Sequence, residues 1–282
     1  LDRSGTRIRR HEDIINHYGS GTWTWDFDWT VDNEVGLQNL LNLIYPENAN
    51  GADHASGFII PAAPVTTTDL SHGATGAVNA TADIVIDNPV TAESRLMHSA
   101  ILQTLTLSMD AGTDGGILKA SGQFMTGYKP SLQDCDSLVT DNESTASDFA
   151  KGLFDITTHT VGGDDASVKT FSLTISNPAT RVGFQGSSGE ADGYSRNGMI
   201  DITGNITIKA DTAAMEHIDA WQSNTLLPIV LNDGSTFAFD IPGAVQSGHA
   251  LDMANEGVFV DIPFTATSGA DGGAVPLTIK AT

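Results

Sequence analysis

Cysteine occurs once in the 282 residues, at Cys135. That excludes an internal disulfide framework and any zinc site built on several thiolates. Positive charge is scarce too: 13 Lys and Arg stand against 35 Asp and Glu, a formal charge of −22. No basic stripe of the kind that gathers phosphates is present, so ordinary nucleic-acid binding is disfavoured. No apolar run approaches the roughly 20 residues of a membrane-spanning helix. Arg3, Arg7, Arg9 and Arg10 precede no apolar segment, so the start of the chain does not read as a signal peptide. The sequence opens on Leu1 rather than Met, from which residues upstream of it are expected.

Catalytic signatures are missing as well. The eight histidines form no HExxH or HxH pattern. Ser187 and Ser188, between Gly186 and Gly189, do not make a GxSxG elbow, and no Walker loop or strand-following GxGxxG occurs. Asp26 and Asp28 share one side of a strand, but between Trp25, Phe27 and Trp29 they read as a solvated face rather than an acid–base pair. Asp114-Gly115-Gly116 and Asp271-Gly272-Gly273 lack the alternating carboxylates of a calcium loop and read as plain turns. The residues therefore predict no catalytic group, no metal ligand and no cofactor.

What is present is alternation. Hydrophobic residues make up 40% of the chain, enough for a core, and 29 glycines punctuate it. Thr104–Met109, Ile117–Thr126, Phe171–Ser176 and Met199–Lys209 alternate apolar with polar residues, the period of an antiparallel sheet with one buried and one wet face. Trp23, Trp25, Phe27 and Trp29 share one side of another strand. They read either as a strand packed under the helix that follows or as an exposed sugar platform. Two short helices are expected. Asp32 or Asn33 caps Glu34–Ile44, stopped by Pro46; Asp211 or Thr212 caps Ala213–Gln222, with Ala214, Met215, Ile218 and Trp221 inward.

The chain also repeats itself. Leu105–Ser108 matches Leu173–Ser176, and Gly116–Phe124 matches Gly198–Ile206, with Gly122 on Gly204. A second, collinear likeness relates Gly21–Asp26 to Gly204–Lys209, each entering a helix, and Ile84–Ala92 to Val258–Ala266. These predict a mostly β chain of duplicated antiparallel sandwich or barrel modules: 1–130 with a basic N-terminal arm, an acidic linker over 131–148, and 149–282.

The run VKTFSLTISNPATRVGFQGSSGEADGYSRNGMIDITGNITIKAD, Val168–Asp211, resembles the central hairpin of tail tube proteins from long, flexible-tailed bacteriophages. The likeness extends to GTWTWDFDWTVDNEVGLQNLLNLIYP near the start, to Leu102–Gly127, to Thr225–Asp240 and to FVDIPFTATSGADGGAVPLTIKAT at the end. The resemblance implies a virion protein, assembled in the host cytoplasm, without enzymatic activity. Its long hairpins would join copies into ring-shaped barrels that stack into a hollow tube. Its partners would be itself, other tail proteins at the tube ends, and phage DNA sliding through without specific binding; no membrane is implied. A doubled chain implies a trimeric, pseudo-hexameric ring, with a hexamer as the alternative.

On that reading the polar strand faces line the lumen: Thr104, Thr106, Ser108, Lys119, Ser121, Gln123, Ser172, Thr174, Ser176, Asp201, Thr203, Asn205 and Thr207. Lys119 and Asp201, at matching places in the two copies, are expected to approach each other. The Gly-rich, polar segment 181–197 cannot form a core, so Arg181, Phe184, Gln185, Glu190, Asp192, Tyr194 and Arg196 are expected between rings. The competing class is an acidic extracellular β-sandwich that binds a surface or a carbohydrate.

Overall fold

The computed structural model of the chain describes residues 21–32, 34–44, 58–60, 69–70, 81–86, 94–133, 150–183, 190–191, 193–196, 200–252, 257–267 and 276–281. Phe184, Gln185, Asp192, Cys135 and the arm before Gly21 lie outside them. Strand β1 (Trp23–Thr30) enters helix α1 (Glu34–Ile44). Strands β2 (Phe58–Ile60), β3 (Asp69–Leu70) and β4 (Ala82–Ile86) lead to the longest, β5 (Ser94–Asp110), and its hairpin partner β6 (Lys119–Thr126). After β7 (Ser131–Gln133), β8 (Thr158–Val161) and β9 (Asp164–Asp165) come β10 (Val168–Ser176), β11 (Ala179–Val182), β12 (Gly193–Arg196), β13 (Asp201–Lys209) and helix α2 (Thr212–Gln222). The chain finishes with β14 (Leu227–Asn232), β15 (Phe237–Gln246), β16 (Ala250–Asp252), β17 (Phe259–Thr267) and β18 (Leu277–Ala281).

The alternation read from the sequence becomes one extended antiparallel sheet whose main path runs β1-β6-β5-β10-β13-β17-β15-β14-β8-β9. Leu105, Leu107, Phe171, Leu173, Ile175, Ile202, Ile206 and Ile208 are buried on one side. Each such side chain taken from water contributes about 1.5–3 kcal/mol. The strands therefore cannot slip by one residue without exposing this whole set. β14, β15 and β18 close over the same core with Ile229, Leu231, Phe237, Phe239 and Ile279, giving the sandwich-like layering. Among the described residues the sheet does not close into a barrel within one chain.

The helices form where expected. Asp211 caps α2 through its Oδ1, which accepts the Ala214 N–H at 3.0 Å. Leu37, Leu41 and Ile44 of α1 are buried, and Gln38 Nε2 donates to the Ala281 carbonyl at 2.6 Å, tying α1 to the last strand. The inward stripe expected on α2 is corrected. Ala214 and His217 are buried, but Met215 and Trp221 are 50% and 37% exposed, because the inner face of the helix is set by close approach to the β8–β9 turn. There a Cβ on Gly162 would meet the His217 ring at 2.6 Å. The first part of the expected linker is also structured, since Ser131–Gln133 pairs with Ser94–Leu96.

The repeated hairpins, β5–β6 and β10–β13, lie side by side. Leu105 stands opposite Gly122 and Leu173 opposite Gly204; beyond them, Phe27 of β1 faces Gly122 and Phe264 of β17 faces Gly204. Both glycines are forced by close approach. A Cβ at 122 would lie 2.2 Å from the Thr104 carbonyl, and one at 204 would lie 2.4 Å from the Phe264 ring. The copies are related by a local twofold axis normal to the sheet, because β5 and β10 pair antiparallel. A rotation about a pore axis preserves strand direction, so these hairpins are not the rotation-equivalent pair that the sequence repeat predicts. The collinear repeat does preserve it: β1 and β13, each entering a helix, run the same way four places apart in the sheet.

Candidate functional site: a polar face six strands wide

The side chains opposite the core from β1, β6, β5, β10, β13 and β17 form one polar surface. Adjacent strands are about 4.8 Å apart, so six of them span about 24 Å. Cross-strand register sets the rows. Asp28, Ser121, Thr106, Thr174, Thr203 and Thr265 follow one another across the sheet. Asp26, Gln123, Thr104, Ser176 and Asp201 make a second row, and Thr30, Lys119, Ser108, Ser172 and Asn205 a third. Asp110, Thr170, Thr207 and Asp261 form a fourth. Every residue expected on a lumen wall therefore lies on this one face.

The face is knitted together by its own hydrogen bonds. Thr106 and Thr174 hydroxyls meet at 2.9 Å, and Thr170 Oγ1 donates to Thr207 Oγ1 at 2.7 Å. Thr207 Oγ1 and Asn205 Nδ2 both donate to Asp261 Oδ1, at 2.9 and 2.7 Å, and Gln123 Nε2 donates to Asp26 Oδ1 at 2.7 Å. Part of the face's amide and hydroxyl hydrogen is thus spent within the surface, on carboxylates and on other hydroxyls. Asp26, Asp28, Asp110, Asp201 and Asp261 stand in these rows against one lysine, Lys119. Such a surface repels a phosphate more than it holds one.

Lys119 and Asp201 do not meet. They sit on β6 and β13 with β5 and β10 between, three strand spacings or about 14 Å across the sheet, and four residues apart along it, since Asp201 is level with Gln123; the twofold places them at opposite corners. Sequence reasoning missed Asp110, Asp261, Thr170 and Thr265, and set Asp26 and Asp28 aside as a solvated face. The signal for Asp261 was in its repeat, Val258–Ala266, whose polar positions continue the alternation of β13.

The small sheet β11-β12-β3 sits beside this hairpin pair. Its anchor is Tyr194, fully buried, which corrects the expectation that segment 181–197 contributes nothing to a core. Its hydroxyl donates to the Ser99 carbonyl at 2.7 Å and accepts the Gly127 N–H at 2.9 Å. Arg181 Nη1 donates to the Gly21 carbonyl at 3.0 Å, Glu190 Oε1 accepts the Lys129 N–H at 3.4 Å, and Arg196 pairs in register with Ala179. These contacts are all within the chain.

On the core side of the same sheet, at its β1 end, Trp25, Phe27, Trp29, Leu40 and Phe124 line an open groove of about 520 Å³. Trp25 and Phe27 each pack against Phe124, with ring centroids 6.0 and 5.2 Å away. The row of rings is neither wholly core nor a flat exposed platform. Among the described residues no three of His, Cys, Asp and Glu come together to hold a metal ion, and no helix is long and apolar enough to cross a membrane.

A family model described as phage tail tube protein matches residues 6–277, nearly the whole chain. No curated protein matches it.

Proposed function

The chain belongs to the phage tail tube protein family, a structural component of the virion, and on that footing we propose how it works. Copies close into rings with the polar six-strand face turned inward. The rings stack into a hollow tube through which the genome slides. The observation that carries this reading is the polar face itself: some of its hydroxyl and amide donors are bonded within the surface, and Asp26, Asp28, Asp110, Asp201 and Asp261 outnumber its one row lysine, Lys119. A double helix passing such a wall meets repulsion rather than binding sites. Closing copies edge to edge also removes the free strand edges that a lone sheet exposes to aggregation.

Three chains per ring, with β1–α1 and β13–α2 in quasi-equivalent places, would give pseudo-sixfold symmetry. That choice follows strand direction, which the other repeat inverts. The segment 181–197, held to its own chain by Tyr194, is the proposed contact between successive rings. Electron microscopy of the purified chain tests the reading. Rings or tubes with a threefold repeat support it; a stable monomer at high concentration opposes it and favours a surface-binding module.

A further inference from the structure

We propose that neighbouring copies join through two particular surfaces: the aromatic groove between β1 and α1 of one copy receives the α2–β16 edge of the next. This rests on the ring reading and specifies its interface.

The six-strand face has two unlike ends. At one end β1 pairs with β6 alone among the described residues, leaving its other edge open beside the groove of Trp25, Phe27, Trp29 and Leu40. At the far end β16 pairs with β17 alone among the described residues, and the surface beside it is apolar: Leu251, Val258, Met215 and Trp221 are 48%, 43%, 50% and 37% exposed. An apolar recess at one end and apolar projections at the other form a complementary pair on one molecule.

Both surfaces lie on the same side of the sheet. Trp25 is in register with Phe124, and Leu251 with Val260, buried residues of the core side. β1 and β16 also run in the same direction, by the chain of antiparallel pairings between them. Rotation about a ring axis preserves side and direction, so the recess of one copy meets the projections of the next while the polar faces remain continuous. A heterologous contact of this kind closes into a ring when its rotation divides a full turn evenly.

The β16 end also holds buried polar atoms without a hydrogen-bond partner. Gln246 is 93% buried, as 7% of it is exposed, yet neither of its amide atoms has a hydrogen-bond partner. His249, three residues on and edge-to-face with Trp221 at 4.9 Å, has a buried Nδ1 in the same condition. Unpaired buried polar atoms are costly, and since their own chain covers these, they gain partners only if docking of a second copy shifts this end.

Disulfide trapping tests this. In a Cys135→Ser background, Ala250→Cys, which shares the polar face through its register with Asp261, is combined in turn with Thr24→Cys, Asp26→Cys and Asp28→Cys, all exposed positions on that face at opposite ends of one chain. Assembled rings are oxidised and run on a non-reducing gel. At least one pair is expected to link most chains into a ladder ending at the ring size, while a control pair, Ala250→Cys with Phe154→Cys, does not. Intact rings in which none of the three pairs links above the control overturn the interface and leave the ring reading standing. No rings in the Cys135→Ser background overturns both. Trp221→Ala gives a second readout: an unchanged far-UV spectrum with at least a tenfold higher concentration for half-assembly is expected, and unchanged assembly contradicts the proposal.

Discussion

Thr106 and Thr174 stand opposite each other at the centre of the sheet, hydroxyl oxygens 2.9 Å apart, and the twofold axis relating the two hairpins passes between them. Because either hydroxyl can donate, removing one leaves the other without its partner. Thr106→Val is expected to cost about 0.5–1.5 kcal/mol, and Thr106→Val with Thr174→Val little more than either alone. Urea denaturation of the three variants measures that non-additivity; simple addition would contradict the pairing.

Gly204 and Gly122 are the positions where the repeat leaves no room for a side chain. A methyl group at 204 must fit within 2.6 Å of the Ser172 carbonyl as well as against the Phe264 ring. Gly204→Ala is therefore expected to destabilise by about 1–3 kcal/mol or more. Adding Phe264→Leu recovers only part, since the carbonyl cannot move away. Full rescue in thermal unfolding would show that the ring alone excludes a side chain.

Much of this architecture was legible because period-two alternation fixes both strand and face. The polar rows of β5, β6, β10 and β13 follow from it directly. The repeat was legible too, but its symmetry was not. Leu105–Ser108 and Leu173–Ser176 look alike whether the strands run the same way or oppositely, and only long-range pairing decides. Tyr194 was hidden for a different reason. Its neighbours are glycine and polar residues, and its burial depends on Ser99 and Gly127, 95 and 67 residues away. Met215 and Trp221 sit on an amphipathic helix whose outer apolar residues periodicity cannot separate from its inner ones.

Tyr194→Phe tests that anchor. Losing the hydroxyl removes the buried bonds to the Ser99 carbonyl and the Gly127 N–H, an expected cost of about 1–3 kcal/mol. The effect should be local first: amide exchange speeds up in β11 and β12 before the β5–β10 centre changes. Uniform acceleration throughout the sheet would place the anchor elsewhere.

Asp233 gives the fold an acid dependence. Burial by itself would raise its pKa. The N–H groups of Phe237 and Ser235, the Thr236 side chain and the Lys151 ammonium instead hold it well below the ordinary carboxylate value of 3.8. The Lys151–Asp233 contact is 2.9 Å, with the carboxylate side chain 4% exposed. A depressed folded pKa means the unfolded chain takes up protons first. The contribution is therefore complete above that ordinary value and is lost as pH falls below it. Asp233→Asn is expected to cost about 2 kcal/mol at pH 7 and progressively less below pH 3.8. A penalty independent of pH in urea titrations would contradict the account.

The polar face is expected to lose its indifference to DNA when its charge is reversed. Asp26→Lys with Asp201→Lys places four units of positive change on exposed strand positions without touching the core. Folding should be preserved, and the variant should retain double-stranded DNA at low salt and release it as salt rises, which the unaltered chain should not. Equal DNA retention by both would mean that the charge of this face does not govern passage.

The most direct test of the central claim is an electron cryomicroscopy reconstruction of the assembled tube at a resolution that traces β13. The account predicts that Asp201, Thr203 and Asn205 face the pore while Ile202 and Ile206 face outward into the wall. A tube in which those polar positions lie on the exterior or between stacked rings would contradict it.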